Sequence, residues 1–359
     1  MPGVIFKIAR CSAVWATSVL LLCGPKLSAQ AAFPASSSTP ASAHEVTDEA
    51  GRAVRVPLNP QRIVSLAPSV TETVYALGDE AHLVGVTTYC DYPPDAQKKN
   101  KVGGVIDPNL EEIAALHPDL VLLAKSANHL DTVRALDSLG IPSYATDAHT
   151  VDEIISSTQK LADILNVPAA GKALSDDLRK RLAALQSELN GVAPRRVLFI
   201  VWMDPLISVS QKTFIADAIR LAGATSLVES AQEWPQVSLE EVVHLQPEFL
   251  VFAESHTGEG KPDFAALAAR PGWRNMEAVR QNHFAVVSDA INRPSPRIVS
   301  VIEDLAHQLH PELFKAAPEP QPQPQKSSAS ALEPPNPSAK LVSGRSTHSS
   351  ACPENSCDR

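Results

Sequence analysis

The chain has 359 residues and a formal net charge of −9, with 31 lysine and arginine residues against 40 aspartate and glutamate residues. This acidic balance argues against a nucleic-acid-binding protein, because affinity for phosphates comes from clustered basic side chains. With 44% hydrophobic and 20% charged residues, the chain is neither a disordered polymer nor a disulfide-dense miniprotein, and its length suits about two domains.

The N-terminus has the pattern of a secretory signal peptide. Basic residues precede an apolar run at 12–23, which is shorter than the roughly 20 residues of a membrane-spanning helix, and small residues follow it. We expect cleavage after Ala29 or Ala31, with an uncleaved membrane anchor as the alternative. Lipid attachment at Cys23 is disfavoured because a bulky leucine precedes it. Cleavage removes three basic and no acidic residues, which changes the net charge from −9 to −12 and indicates an exported, soluble, acidic protein.

The first half of the remaining chain alternates predicted strands with predicted helices. Gly78 supplies the left-handed residue that ends the first helix, which begins near Pro68. Strands that alternate with helices indicate a parallel sheet covered on both faces. In chain order we predict a hairpin at 45–57, a buried strand at 62–66, a helix at 68–78, strands at 84–89 and 119–124, and a short helix between them at 109–116.

A second copy of this pattern follows. Residues 109–123 and 238–252 match at a constant offset of 129 residues, with Leu, Glu, Glu, Leu and Pro in register. An arginine opens the predicted strand at 196–200, as Arg62 opens the earlier one, and Gly223 ends the next predicted helix. Chance similarity between two helix–strand units is the alternative, but the matching strand openings favour a duplicated lobe.

Between the two copies, residues 169–190 predict one long helix. Twenty-two residues at 1.5 Å each span roughly 33 Å, so this helix would be a stiff strut that opposes wide hinge closure. Its apolar face is formed by leucines at three- and four-residue steps, namely Leu174, Leu178, Leu182, Leu185 and Leu189.

The C-terminal segment is rich in proline and serine, a composition typical of disordered chain. Cys352 and Cys357 lie there and can pair in an oxidising compartment, which leaves Cys90 as the one cysteine of the folded part. The predicted organisation is a signal peptide at 1–31, an N-terminal α/β lobe at 45–167, a connecting helix at 168–192, a C-terminal α/β lobe at 193–316 and a disordered Pro/Ser-rich tail at 317–359.

Motifs for catalysis or metal binding are missing from the folded part of the sequence. The eleven histidines are scattered without a His-Glu-x-x-His pattern, and no paired cysteines, Gly-rich phosphate loop or nucleophile elbow occurs there. His117 and His244 are interpreted as surface residues of helices. We therefore expect neither an enzyme nor a metal site.

Six motifs together resemble the ABC-transporter substrate-binding proteins of the cobalamin and iron-siderophore class, and most of all their vitamin B12-binding members. The resemblance covers residues 46–314 and implies two Rossmann-like α/β lobes joined by one long rigid backbone helix, the class III type of periplasmic binding protein. The motifs are Arg-Ile-Val-Ser-Leu-Ala-Pro at 62–68, Thr-Glu at 71–72, Thr-Tyr-Cys-Asp-Tyr-Pro-Pro at 88–94, Asn-Leu-Glu-Glu at 109–112, Trp-Pro-Gln-Val-Ser-Leu-Glu at 234–240 and Ser-Pro-Arg at 295–297.

The resemblance implies a function in import across the bacterial inner membrane. A monomeric protein of the periplasm would capture cobalamin, a cobalt corrinoid, between its lobes and deliver it to the permease of an ABC importer and through it to the ATPase. No covalently bound cofactor and no nucleic-acid partner are expected. The alternatives are a ferric-siderophore or haem receptor on the same scaffold, and a binding or signalling module without transport.

The resemblance also implies that one glutamate of each lobe, Glu111 and Glu240, docks onto arginines of the permease. The residues that precede them, Asn109 and Ser238, are good helix N-caps, and the glutamate three residues after each cap suits a capping box that turns back to the cap backbone. Glu111 and Glu240 then have no local use and can project outward. The alternative is that all four glutamates favour the helix dipole.

Candidate ligand-binding residues are mostly aromatic, because a corrin ring is a large amphipathic disc that suits flat apolar side chains and a few polar groups. They lie in loops near strand ends, where open α/β sheets bind ligands. Two positions depart from the family pattern, since residues 103–108 and 290–291 contain no aromatic side chain. For Tyr92 the alternative to ligand binding is packing against the prolines that follow it. For the two polar candidates, Asp289 and Arg293, the alternative is a solvated surface position. The predicted set is Pro68, Tyr89, Tyr92, Trp202, Trp234, Asp289 and Arg293.

Overall fold

The structure is a computed structural model that describes residues 43–254 and 264–314. The predicted signal peptide, the predicted tail and the cysteines Cys352 and Cys357 lie outside the described residues. In the part of the chain that is described, no helix combines the length and the apolar character needed to cross a bilayer.

An antiparallel hairpin opens the described chain, as predicted. Strand β1 (Ala43–Thr47) pairs with β2 (Ala53–Pro57), and Glu45 lies opposite Arg55. Gly51 has a φ of +81° in the connecting turn, a conformation that favours glycine. Asp48 closes the turn because its carboxylate accepts the Arg52 backbone N–H at 2.7 Å.

The first lobe (residues 43–165) is built on a five-stranded parallel sheet of order β5-β4-β3-β6-β7. The central strands are apolar and buried on both faces, as a parallel sheet between helical layers requires. Its strands are β3 (Ile63–Ser65), β4 (Leu83–Val86), β5 (Asn100–Lys101), β6 (Leu120–Ala124) and β7 (Ser143–Thr146), and its helices are α1 (Pro68–Ala76), α2 (Leu110–Ala115), α3 (Leu130–Ser138) and α4 (Val151–Ile164).

Strand β4 is shorter than the predicted 84–89, because the chain turns directly after Val86. The Thr87 side-chain oxygen lies 3.2 Å from Cys90 Sγ, and the Cys90 backbone N–H donates to the Thr87 carbonyl at 3.2 Å. This turn takes Tyr89 out of the sheet and leaves its side chain exposed.

The predicted connecting helix is present as α5 (Pro168–Glu188), 21 residues long and therefore roughly 31 Å from end to end. Of the five leucines predicted to form its apolar face, Leu178, Leu185 and Leu189 are buried. The helix packs along α4 and also touches the last helix of the second lobe. It therefore links the two lobes by side-chain packing as well as by chain connectivity.

The second lobe (residues 195–254 and 264–310) is built on a four-stranded parallel sheet of order β11-β8-β12-β13. A two-stranded antiparallel ribbon, β9 with β10, follows directly after β8. The strands are β8 (Arg195–Ile200), β9 (Trp202–Met203), β10 (Leu206–Ile207), β11 (Ala224–Ser226), β12 (Phe249–Ala253) and β13 (Phe284–Val287), and the helices are α6 (Phe214–Leu221), α7 (Leu239–Leu245), α8 (Phe264–Ala269), α9 (Glu277–Arg280) and α10 (Ile298–Leu309).

The two sheets share one topology, since β4-β3-β6-β7 of the first corresponds to β11-β8-β12-β13 of the second. The α2–β6 unit and the α7–β12 unit begin 129 residues apart at both the helix and the strand. His117, expected on a surface helix, lies just beyond α2 in a left-handed conformation of φ +45°, and Gln246 at the same offset has φ +46°. The predicted repeat of one helix–strand unit, at an offset of 129 residues, is thus present in the two lobes.

Arg62, directly before β3, and Arg196, near the start of β8, make equivalent contacts in the two lobes. Arg62 donates from Nη2 to the carbonyl of Leu116 at 2.7 Å, and Arg196 donates from Nη2 to the carbonyl of Leu245 at 2.5 Å. Both carbonyls belong to the end of a helix that precedes the neighbouring strand, where backbone acceptors lack helical partners. The repeated arginines therefore cap equivalent helices.

Candidate functional site

A cleft of about 390 Å³ lies between the two lobes and is lined by both of them. Most of its lining follows the carboxyl ends of parallel strands, where open α/β sheets bind ligands. A cavity of about 610 Å³ beside the β1–β2 hairpin is larger, but the first lobe alone lines it. The cleft is lined by Ala67, Pro68, Ser69, Ser126, Ala127, Ala148 and His149 of the first lobe and by Thr213, Phe214, Glu233, Trp234, Asn292, Arg293 and Pro294 of the second.

Three of the predicted ligand-binding residues, Pro68, Trp234 and Arg293, line this cleft. Trp234 is held in a loop between β11 and α7 whose backbone is fixed on both sides. The carbonyls of Glu233 and Pro235 accept hydrogen bonds from the loop at 208–210, at 2.9 and 3.1 Å. The indole is nevertheless 45% exposed, so it presents apolar surface to the cleft.

Four aromatic side chains are strongly exposed in the described chain, and all four belong to the predicted set. Tyr89, Tyr92 and Trp202 lie outside the lining of the cleft, with exposed fractions of 63%, 43% and 57%. The Trp202 indole N–H donates to the Asp204 carbonyl at 2.8 Å, which orients the ring on the β9–β10 ribbon. A ligand role for these three residues stays a prediction.

Arg293 lines the cleft with its guanidinium already engaged by two carboxylates. Nη1 donates to Glu72 at 2.7 Å and to Asp91 at 2.6 Å, and Nη2 donates to Asp91 at 3.1 Å. The hydrogen bond from Arg293 lowers the pKa of Asp91 below its usual range, although partial burial opposes this. Burial lowers the pKa of Arg293, but the hydrogen bonds to Asp91 and Glu72 outweigh it and raise that pKa.

The polar candidate Asp289 opens a short 3-10 helix, Asp289–Asn292, that follows β13. It is partly buried and lies outside the lining of the cleft, whereas Asn292 at the other end of the same turn lines it. The neighbouring Ala290 and Ile291 are aliphatic and buried, so they present neither an aromatic ring nor apolar surface to a ligand.

Sequence reasoning missed His149, which lies at the cleft among charged groups from both lobes. Its Nε2 is 3.2 Å from an Asp147 carboxylate oxygen, and its Nδ1 is 3.9 Å from Glu233 of the second lobe. Lys125 donates to the other Asp147 oxygen at 2.5 Å, and this hydrogen bond raises the pKa of Lys125. The available signal was the polar segment that directly follows β7, at the carboxyl edge of the sheet.

Of the two hydrogen bonds expected in a capping box, the one accepted by the cap side chain is present next to both predicted docking glutamates. Asn109 Oδ1 accepts the backbone N–H of Glu112 at 3.2 Å, and Ser238 Oγ accepts that of Glu241 at 3.1 Å. The predicted second hydrogen bond of the capping box, from the Asn109 backbone N–H to the Glu112 side chain, is wrong for α2. That N–H donates instead to the Val102 carbonyl at 2.8 Å. The cap backbone therefore does not need Glu112.

Glu111 and Glu240 occupy equivalent places in the first turns of α2 and α7. Both are exposed, and within the described residues neither carboxylate has a hydrogen bond or an ion pair. Both are thus available to an external cation. No group of three or more His, Cys, Asp or Glu side chains suited to a metal ion occurs among residues 43–254 and 264–314.

Comparison with known proteins places the chain in a family. The model of the periplasmic binding protein family matches residues 63–290, which is well over half of the chain. The chain belongs to the periplasmic binding protein family. The vitamin B12-binding protein of Vibrio parahaemolyticus is 32% identical to it over 245 residues, which cover 67% of this chain and 86% of that relative.

Solved structures of other periplasmic binding proteins show the same fold. The vitamin B12-binding protein BtuF of Vibrio cholerae superposes with a TM-score of 0.63 at 29% identity, over 72% of this chain and 100% of that one. A periplasmic haem-binding protein from Pseudomonas aeruginosa gives a TM-score of 0.64 at 26% identity, over 70% of this chain and 93% of that one. The predicted class of two α/β lobes with a backbone helix is confirmed.

Proposed function

We propose that this periplasmic binding protein captures a corrinoid, cobalamin in the first place, in the cleft between its lobes. The observation that carries the proposal is the pairing of Pro68 from the first lobe with the half-exposed Trp234 from the second across one cleft. A flat amphipathic disc is held by apolar surfaces that face it, with a few polar groups at its rim. The vitamin B12-binding names of several relatives support the same ligand.

Haem is the second candidate, because an imidazole lies at the cleft. His149 can ligate the iron of a porphyrin, which is also a flat disc. The segment at 103–108 departs from the pattern of the vitamin B12-binding members. It has the exposed aliphatic side chain of Ile106 and no aromatic ring, so it does not favour a corrinoid over haem. The haem-binding relative of known structure supports this candidate.

Titration of the purified mature chain with cyanocobalamin, hemin and a ferric siderophore distinguishes these ligands. We expect saturable heat with cyanocobalamin in calorimetry, and its absence with every corrinoid would refute the first proposal. Saturable hemin binding would favour the second candidate. In that case His149→Ala should shift the Soret band of the bound hemin, because loss of the imidazole changes the ligation of the iron.

We further propose that Glu111 and Glu240 dock the loaded protein onto the permease of an ABC importer, and so deliver the ligand to the complex that contains the ATPase. Their support is their exposure, the absence of partners within the described residues and their equivalent positions in the two lobes. Neither residue lines the cleft. Docking and ligand binding should therefore be separable.

The docking test measures uptake of labelled cyanocobalamin in cells that carry the importer. Replacement of both Glu111 and Glu240 by alanine should abolish uptake and leave the ligand affinity of the purified protein unchanged. Replacement of Glu112 and Glu241, their neighbours on the same helix turns, is the matched control and should preserve uptake. Normal uptake by the first double variant would refute docking through these glutamates.

We propose that the protein acts in the periplasm as a monomer after removal of its signal peptide. The periplasmic relatives support this location. Mass spectrometry of the exported protein should find an N-terminus after Ala29 or Ala31. An unprocessed N-terminus would instead support the membrane anchor.

A further inference from the structure

Glu72 of α1 is a buried carboxylate whose partners all come from the second lobe. Its side chain is 1% exposed. Arg293 donates to it at 2.7 Å, Ser295 Oγ donates at 2.7 Å and Arg297 donates at 3.0 Å. These three donors lie more than 220 residues further along the chain, in the loop between the Asp289–Asn292 turn and α10.

The same two arginines contact a second, more exposed layer of the first lobe. Arg293 forms two hydrogen bonds with Asp91, whose side chain is 59% exposed. The Arg297 guanidinium lies over the ring of Tyr92, 3.5 Å from its centroid, in a cation–π arrangement. Each arginine is thus held between the buried Glu72 and a group at the surface.

Of the two carboxylates that pair with Arg293, the buried Glu72 matters more than the exposed Asp91 for the relative position of the lobes. A carboxylate removed from water is stable only when it is paired and hydrogen-bonded. Glu72 has these partners when the loop at 293–297 lies against α1. Separation of the lobes here would leave its buried carboxylate without them. Asp91 is exposed enough to exchange Arg293 for water.

We propose that Glu72 is a positioning residue of the cleft. It holds the loop at 293–297 against α1 and so fixes Arg293 and the adjacent Pro294, which line the second-lobe side of the cleft. Glu72 does not line the cleft itself, so it acts on a ligand through these neighbours. The width of the cleft is then set before the ligand arrives, which reduces the ordering needed on binding. The proposal rests on the proposed function only in placing the ligand in this cleft.

The test compares Glu72→Gln, which keeps the shape of the side chain and removes its charge, with Asp48→Asn. Asp48 is equally buried and accepts a hydrogen bond from Arg52 at 2.8 Å, but both residues belong to the first lobe and neither lines the cleft, so this is a matched carboxylate–arginine pair within one lobe. Ser295→Ala is a milder variant that removes one of the three donors to Glu72. It serves if Glu72→Gln does not fold.

The first measurement is the distance between the lobes without any ligand. Spin labels at Leu139 of the first lobe and Arg280 of the second, both exposed, report this distance. The labelled chain has serine in place of the tail residues Cys352 and Cys357. We expect Glu72→Gln to broaden the distance distribution, with a smaller effect from Ser295→Ala. We expect the control variant to keep the wild-type distribution.

The second measurement is the dissociation rate of cyanocobalamin, because a cleft whose second-lobe side is no longer held in place should release its ligand faster. We expect about a tenfold increase for Glu72→Gln and none for Asp48→Asn. Distances and rates equal to wild type in Glu72→Gln, with equal losses of thermal stability in both variants, would overturn the proposal and show a structural role alone. If the wild type does not bind cyanocobalamin, the ligand-free distances still decide the role of Glu72.

Discussion

Replacement of Trp234 by alanine should weaken corrinoid binding about tenfold. The indole is 45% exposed, and a tryptophan presents roughly 250 Å² in all, so about 110 Å² is available to a ligand. A flat ligand covers one face of the ring, or about 55 Å², which at about 25 cal/mol per Å² is worth about 1.4 kcal/mol. That free energy corresponds to about a tenfold change in the dissociation constant.

Calorimetric titration of Trp234→Ala with cyanocobalamin measures this effect, and thermal unfolding of the same sample checks its fold. Leu130→Ala is the matched control, because Leu130 is an exposed apolar side chain, 57% exposed, that does not line the cleft. A change below twofold in Trp234→Ala would refute contact between this ring and the ligand. An equal weakening in both variants would refute the reasoning from exposed area.

Two further predictions concern stability. Gly223→Ala should destabilise the protein by about 1–2 kcal/mol or more in urea unfolding, because φ is +78° and a Cβ would lie 2.8 Å from His310 Nε2. Gly140→Ala, with φ +69° and open space around its Cβ, should cost about 1 kcal/mol, and equal losses would contradict a role of the His310 contact. Since Arg293 lowers the pKa of Asp91, the stability that Asp91 contributes is present above the ordinary aspartate pKa and is lost as pH falls through the lowered pKa. The difference in melting temperature between wild type and Asp91→Asn should therefore shrink in acid, and a constant difference would contradict this.

Features that depend on neighbouring residues were predictable from the sequence. Gly78 and Gly223 end helices with φ of +74° and +78°, because a residue without Cβ is favoured in the left-handed region. The side chains of Asn109 and Ser238 cap α2 and α7 as expected. Each of these features involves groups within a few positions of one another, so sequence order and spatial order coincide.

The candidate site was only partly predictable, because it joins residues that are far apart in the chain. The motifs that contain Glu72 and Ser295 were visible, but spacing does not show that one side chain meets the other. A signal was available in α1, where an acidic residue occurs among residues that are otherwise apolar or small. Such a residue is buried only with partners, and its partners had to come from elsewhere in the fold.

His149 illustrates a second limit. A lone histidine after a strand has no motif, and its relation to Glu233 depends on how the two lobes face each other. The same holds for the aromatic residues, since sequence identified the exposed rings but not which of them line the cleft. Exposure follows from local chain geometry, whereas membership of a cleft requires the relative position of both lobes.

The described chain passes from the first sheet to the second once, through α4 and α5. Each of the two parallel sheets is therefore made from an uninterrupted stretch of sequence, 63–146 for the first and 195–287 for the second, apart from the undescribed segment 255–263. A fold of this kind can arise by tandem fusion of two copies of one gene, without exchange of strands between the copies. It also means that a cut after α5 would divide the protein into two fragments that each retain a complete sheet, a natural starting point for complementation of separately produced halves.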